Sequence, residues 1–228
     1  MSIMKRDVAF NALRRRSVLT LVAAMLLPAT VLAGAYEDYF QAVQLNNAAG
    51  VQALLQRGFD PNTVEPERGD SGLILALREK AMRVFDVLLN TPGINLEVRA
   101  RNGDTALMLA AFKVNRPAVE ALLAKGAEVN QPGWAALHYA AASGDNDIVQ
   151  LLLDHFAYID AESPNKTTPI MMAARSGHIL TVKLLLDEGA DATLKNDAGM
   201  TAIDFANKFN HKDIAEGLTH RLKKAGKL

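Results

Sequence analysis

Residues 168–174 read Thr-Pro-Ile-Met-Met-Ala-Ala, and this stretch decides the fold because versions of it recur along the chain. Related stretches begin at Thr105, Ala135 and Thr201, so the four starts are separated by 30, 33 and 33 residues. Self-similarity at a period of this length is typical of solenoids, in which each repeat packs only on its neighbours. The sequence therefore predicts an array of repeats.

The recurring stretch predicts a short helix that packs closely on its neighbours. Thr168 can cap this helix through its hydroxyl, and Pro169 fits the first helical position, where a missing N–H costs nothing. The small side chains of Ala173 and Ala174 allow adjacent helices to approach closely.

A second apolar stretch follows each copy of the first and predicts a second helix. Val182, Leu185 and Leu186 recur at helical spacing, and Gly189 then ends the helix in a left-handed conformation. Residues 119–130 repeat this pattern. Residues 148–160 repeat it with Phe156 in the place of the glycine.

These two stretches closely resemble the ankyrin repeat, whose period is about 33 residues and whose helix-opening motif is Thr-Pro-Leu-His-x-Ala. The resemblance covers residues 37–222 and implies an all-α solenoid of helix-turn-helix units joined by β-hairpin-like fingers. We expect about six repeats, with degenerate ones at the ends that present a polar outer face. The approximate units are 36–67, 68–100, 101–130, 131–163, 164–195 and 196–228, which together form the repeat domain 36–228.

The first 35 residues predict a secretory signal peptide. Five basic residues precede an apolar segment, Ser17–Val31, and the small residues Ala33-Gly34-Ala35 follow it. We expect cleavage after Ala35 and a periplasmic or secreted location. An uncleaved membrane anchor is the alternative, although the segment is shorter than the ~20 residues of a spanning helix and contains Pro28. Arg15-Arg16 also resembles a twin-arginine motif, so both export routes remain open.

Charge and cysteine content exclude several classes of function. Lys and Arg number 25, as do Asp and Glu, but five of the basic and one of the acidic residues precede residue 36, which leaves 20 and 24. An acidic domain argues against a nucleic-acid partner. The chain has no cysteine, which excludes disulfides and thiolate metal sites.

Possible catalytic and metal-binding residues have structural explanations. Gly69-Asp70-Ser71-Gly72 matches the stretch around the nucleophile of trypsin-like proteases, but that family places its histidine upstream and all five histidines here lie downstream. The ankyrin resemblance implies that His138 ties a loop to neighbouring backbone and that His178 belongs to a Gly-His turn. No histidine pair has zinc-site spacing, and no phosphate-binding loop occurs. We therefore expect neither an enzyme, nor a cofactor, nor a metal.

The resemblance also implies which residues bind a partner, because ankyrin arrays generally bind through finger tips and inner helices on one concave surface. Phe112 and Phe209 are aromatic at positions that the fold leaves free, as interface anchors often are. Trp134 follows a finger that is three residues short, so it either contacts a partner or folds back over the gap. The candidate positions are Arg101, Asn102, Asp104, Phe112, Lys113, Trp134, Asn165, Arg175, Met200 and Phe209.

The sequence thus predicts a monomeric scaffold that binds another protein, with no nucleic-acid partner and no membrane contact after signal cleavage. Two other classes of function remain open. One is an exported sensor of small molecules or cell-wall fragments, which needs a polar pocket between the fingers. The other is an exported hydrolase, which needs a catalytic set of residues.

Overall fold

The computed structural model describes residues 29–228, with side chains from residue 34 onwards. The chain divides into two compact units, Met1–Tyr39 and Phe40–Leu228. In the first unit, the described residues 29–39 are helical. No helix in the described range is long and apolar enough to span a bilayer.

The predicted signal peptide falls almost entirely outside the described residues, because residues 1–28 are not among them. The expected cleavage point after Ala35 lies inside the first described helix. Cleavage and export therefore stay predictions.

Helices make up the regular structure of residues 29–228, where they follow one another in pairs joined by short turns. The part of the chain described here contains no strand, and an isolated antiparallel bridge joins Val64 and Ser71. The helices are α1 Ala29–Gln44, α2 Ala48–Gln56, α3 Gly72–Arg78, α4 Met82–Leu89, α5 Ala106–Phe112, α6 Arg116–Ala124, α7 Ala136–Ser143, α8 Asn146–Asp154, α9 Pro169–Ser176, α10 Ile179–Asp187, α11 Ala202–Lys208 and α12 Lys212–Lys224.

Left-handed backbone residues recur with the repeat period and set the turns. We call the first helix of each repeat the inner helix and the second the outer helix. One left-handed residue lies between the two helices of each repeat, and the set is Asn46, Lys80, Val114, Gly144, Gly177 and Asn210. A second set follows outer helices and includes Gly58, Gly126, Phe156 and Gly189. Glycine accepts this conformation without steric cost, whereas Phe156 and the β-branched Val114 are strained there.

The core lies between consecutive repeats. Inner helices pack on inner helices, and Ala110, Ala140, Ala173 and Ala206 are fully buried where they meet. Outer helices contribute larger apolar side chains such as Leu152, which is also fully buried. The Ala pairs, Val182 and Leu185 therefore have the roles that the sequence predicted, whereas Leu186 is only half-buried.

Hydroxyl capping of the inner helices is present in three repeats and absent in a fourth. The hydroxyls of Ser71, Thr105 and Thr201 accept N–H bonds at 3.4, 3.4 and 3.3 Å. The predicted cap at Thr168 was wrong, because its hydroxyl is buried without a hydrogen bond. Bonds of this length are at the limit of good geometry, so a small displacement of the turn removes one. Pro169 does occupy the first helical turn as predicted.

Hairpin-like turns form the fingers without extended strands. The N–H of Ala100 donates to the carbonyl of Asp104 at 2.9 Å, and the N–H of Asn196 donates to that of Met200 at 3.0 Å. Neighbouring fingers are joined by backbone bonds as well, such as the 2.7 Å bond from the N–H of Arg101 to the carbonyl of Arg68. The short finger before Trp134 has no such closing bond among the described residues.

Candidate functional site

The inner helices and finger tips place the ten predicted binding residues in different surroundings. Seven of them are exposed, Trp134 and Met200 are half-buried, and Asp104 is buried. The exposed ones are Arg101, Asn102, Phe112, Lys113, Asn165, Arg175 and Phe209. The structure brings some of these residues together in two aromatic groups and a polar chain.

Tyr139 is the centre of the first aromatic group, which spans the third and fourth repeats. The ring of Phe112 meets that of Tyr139 edge to face, with 6.2 Å between centroids. Trp134 lies on the other side of Tyr139, with 6.4 Å between centroids, and also contacts the ring of His138 at 5.1 Å. Phe112 is nevertheless 51% exposed.

Tyr139 is not among the residues predicted from the sequence, although the sequence carries a signal for it. Tyr139 lies four residues after the helix-capping position of its repeat, on the same inner face as Leu109 and Met172 in the neighbouring repeats. An aromatic side chain with a hydroxyl at a position otherwise taken by apolar residues indicates a polar contact.

A chain of polar contacts runs from Tyr139 back to the second repeat. The Tyr139 hydroxyl donates to Oδ1 of Asp104, and Arg78 lies between the carboxylates of Asp104 and Asp70. Its Nε atom is 2.7 Å from Oδ2 of Asp70 and its Nη2 atom is 3.8 Å from Oδ2 of Asp104. Burial and the hydrogen bond to Asp104 raise the pKa of Tyr139. The hydroxyl therefore stays protonated and continues to donate.

Asp104, one of the predicted binding residues, makes contacts within this polar chain and is not part of an open surface. It is buried, and it accepts a further hydrogen bond at 2.7 Å from Nδ2 of Asn102. Asp70 is fully buried and also lies 3.3 Å from Nε of Arg68. These contacts join three consecutive repeats. They therefore fix the geometry of the surface that the inner helices and the fingers form, which we call the inner surface and on which Phe112 and Trp134 lie.

Arg175, Phe205 and Phe209 form the second aromatic group, in the last two repeats. The guanidinium of Arg175 lies over the ring of Phe209, 5.1 Å from its centroid. The rings of Phe205 and Phe209 are stacked with 6.5 Å between centroids. Phe209 remains 40% exposed, so this cation–π pair is open to a partner.

Histidines tie the repeats together. His138 is fully buried; its Nδ1 accepts from the N–H of Ala135 at 3.1 Å, and its Nε2 is bound to the carbonyl of Thr167 at 2.9 Å. Burial lowers the pKa of His138, and the bond to Ala135 requires an unprotonated Nδ1. His178 contacts the carbonyl of Ala142 at 3.1 Å through Nε2. Both histidines have the structural roles that the resemblance implied.

The finger tips are engaged mainly with each other. Arg101 donates to the carbonyl of Pro66 in the preceding finger, and the carbonyl of Asn165 accepts from the N–H of Asp197 at 3.0 Å. Met200 belongs to the last finger and is half-buried. The side chains of Arg101 and Met200 are therefore less free than those of Phe112, Lys113, Arg175 and Phe209.

The protease-like stretch is part of a helix start. Ser71 is buried and caps α3, while Asp70 is paired with Arg78. Within residues 29–228, no group of three His, Cys, Asp or Glu side chains is placed to hold a metal ion.

Two curated relatives share the repeat region. Human SH3 and multiple ankyrin repeat domains protein 2 is 34% identical over 176 residues, which are 75% of this chain and 10% of that protein. The mouse B-cell lymphoma 3 protein homolog is 29% identical over 178 residues, which are 75% of this chain and 40% of that protein. The chain thus spans less than half the length of either relative.

Two solved structures have a similar fold. The ankyrin repeat domain of Bcl-3 gives a TM-score of 0.65 at 28% identity, over 78% of this chain and 80% of that one. The complex of the predatory endopeptidase Bd0816 from Bdellovibrio bacteriovorus with immunity protein Bd3460 contains a second match. That chain gives a TM-score of 0.69 at 26% identity, over 80% of this chain and 97% of that one.

The family model described as ankyrin repeats in three copies matches residues 39–133, 73–163 and 137–226. Together these matches cover nearly all of the helical repeats described above. The chain therefore belongs to the ankyrin-repeat family.

Proposed function

We propose that this chain is an exported scaffold that binds a protein partner through the inner surface of its repeats. Ankyrin repeats generally mediate protein–protein interactions. The observation that carries the proposal is the exposure of Phe112 and Phe209, at 51% and 40%, on a surface otherwise fixed by buried contacts. Large aromatic side chains that the core does not require are typical interface anchors.

The occurrence of a similar chain in a complex of an endopeptidase with an immunity protein supports a role in protein–protein association. A hydrolase finds less support, because Ser71 and Asp70 have the structural partners described above. A small-molecule sensor also finds less support. Two open surface cavities lie at the outer helices α2 and α4 and at the last repeat, away from the fingers.

Export is part of the proposal and rests on residues 1–35. The order of basic, apolar and small residues is that of a secretory signal peptide. Mass spectrometry of the protein from the exported fraction should show a chain that begins at Tyr36. Recovery of the full-length chain from membranes would contradict both cleavage and export.

Site-specific photo-cross-linking tests the binding surface directly. A photoreactive phenylalanine analogue at position 112 or 209 should give adducts with the same protein in cells, because both positions face the proposed partner. The same analogue at Lys183, an exposed position on outer helix α10, is the control. Adducts at position 183 equal to those at 112 and 209, or adducts at none of the three, would refute the assignment.

A further inference from the structure

The ends of the inner helices carry a charge opposite to that of the domain. In repeats two to six, the three positions that end the inner helix and begin the following turn are 78–80, 112–114, 142–144, 175–177 and 208–210. They contain five basic residues, Arg78, Lys80, Lys113, Arg175 and Lys208, against one acidic residue, Glu79. Acidic residues outnumber basic ones 24 to 20 over residues 36–228.

These helix ends form a continuous row from the third repeat to the sixth. The hydroxyl of Ser143 is 3.4 Å from the carbonyl of Ala111, and it comes from the next repeat. His178 reaches the carbonyl of Ala142 in the same way, and Nε2 of His211 reaches that of Arg175 at 3.1 Å. Each of these helix ends is therefore hydrogen-bonded to the following repeat.

The row from the third repeat to the sixth contains three cations, and none of them has an ionic partner. Within the part of the chain described here, no carboxylate lies within 4 Å of the side-chain nitrogens of Lys113, Arg175 or Lys208. All three are exposed. Arg78, in contrast, is already paired with Asp70 and Asp104. We call Lys113, Arg175 and Lys208, together with Phe112 and Phe209, the basic row.

The helix dipole accounts for part of this pattern, since cations stabilise helix C-termini. It does not account for Phe112 and Phe209, which are exposed beside these cations. At the corresponding positions, 142–144, the fourth repeat has the small residues Ala142, Ser143 and Gly144.

We infer that the basic row receives an acidic peptide segment of the protein partner, with carboxylates against Lys113, Arg175 and Lys208 and apolar side chains against Phe112 and Phe209. This inference rests on the proposed function and names the chemistry of the partner. Opposite charges across an interface steer association and set specificity. A nucleic acid fits less well, because the domain as a whole is acidic.

A peptide library displayed on phage and selected against the purified full chain tests the inference. The selected peptides should be enriched in Asp and Glu interspersed with apolar residues, and depleted in Lys and Arg. The triple variant Lys113→Gln, Arg175→Gln, Lys208→Gln should weaken binding of a selected peptide by about tenfold or more. The control triple, Arg83→Gln, Lys125→Gln, Lys183→Gln, removes equal charge from exposed positions outside the row and should change binding less than about twofold.

The outcomes separate this inference from the proposed function. If selected peptides are neutral or basic, yet lose binding on Phe112→Ala, the inner surface binds proteins and the acidic segment is refuted. If no peptide is enriched, or if a labelled single-stranded oligonucleotide binds and the peptides do not, the inference is also overturned. Thermal melting of both triples should match the parent within a few degrees, which excludes unfolding as the cause.

Discussion

The ring of Trp134 stands edge-on to the ring of His138, with 5.1 Å between centroids and 76° between planes. His138 is fully buried, so Trp134 covers a core residue of its own repeat. The sequence left two roles open for Trp134, contact with a partner or closure of the short finger. The geometry favours closure of the finger, because the half-buried ring packs on both His138 and Tyr139.

Truncation of the two aromatic residues should therefore have different effects on stability. Trp134→Ala removes packing on His138 and Tyr139, and we expect it to lower the free energy of unfolding by about 1–3 kcal/mol. Phe112→Ala removes a mostly exposed ring and should cost less than about 1 kcal/mol. Urea denaturation of the two variants checks the difference. Equal losses would show that Phe112 is also a packing residue.

Acid should destabilise the domain through His138. Its folded-state pKa lies below the ordinary value of 6.5, so below pH 6.5 the unfolded chain binds a proton that the folded chain excludes. This contribution is fully present above pH 6.5 and is lost as the pH falls, by at most about 2 kcal/mol at pH 5.

Urea denaturation of the parent and of His138→Gln at pH 7.5 and pH 5 measures this effect. The variant should be less stable at both pH values, because it loses the contacts of His138, but it should lose less stability between them than the parent does. His220→Gln, which changes an exposed histidine, should keep the parent's dependence. The same pH dependence in His138→Gln and the parent would rule out His138 as its source.

Arg78 should be important for stability because it lies between two buried carboxylates. Arg78→Met leaves Asp104 without a cation and Asp70 with Arg68 alone, and we expect a loss of roughly 3 kcal/mol. Restoring neutrality with the double change Arg78→Met, Asp70→Asn should recover part of it. A thermal melt of Arg78→Met that matches the parent would mean that water replaces the guanidinium at no cost.

Phe156 should be replaceable with a gain in stability. Its φ of +64° is left-handed, and its side chain is 84% exposed, so a glycine relieves strain and loses little packing. We expect Phe156→Gly to stabilise the fold by about 0.5–1 kcal/mol, while Phe156→Ala stays near the parent. Chemical denaturation of the three proteins tests this. A less stable Phe156→Gly would show that the ring makes a contact worth more than the strain.

The repeats, their helix pairs and the buried Ala and Leu positions could be predicted from the sequence because they depend on local spacing. The strained turn at Phe156 could also be predicted, because Phe156 occupies a position where the neighbouring repeats have a glycine. The contact between Tyr139 and Asp104 was not, because it joins residues 35 apart whose side chains meet only when two repeats stack. The missing cap at Thr168 could not be predicted either, because a difference of a few tenths of an ångström between the hydroxyl and the N–H decides whether the hydrogen bond forms.

Affinity for the cross-linked partner is the most direct test of the claim that the inner surface binds a protein. The double variant Phe112→Ala, Phe209→Ala should weaken binding by about 2 kcal/mol or more, roughly thirtyfold in Kd. The matched control is Phe156→Ala, Tyr158→Ala, which removes two aromatic rings that are 84% and 68% exposed outside the inner surface. Calorimetric titration should give the parent's Kd for the control and a thirtyfold higher Kd for the inner-surface variant. Equal affinities for the two double variants would contradict the account.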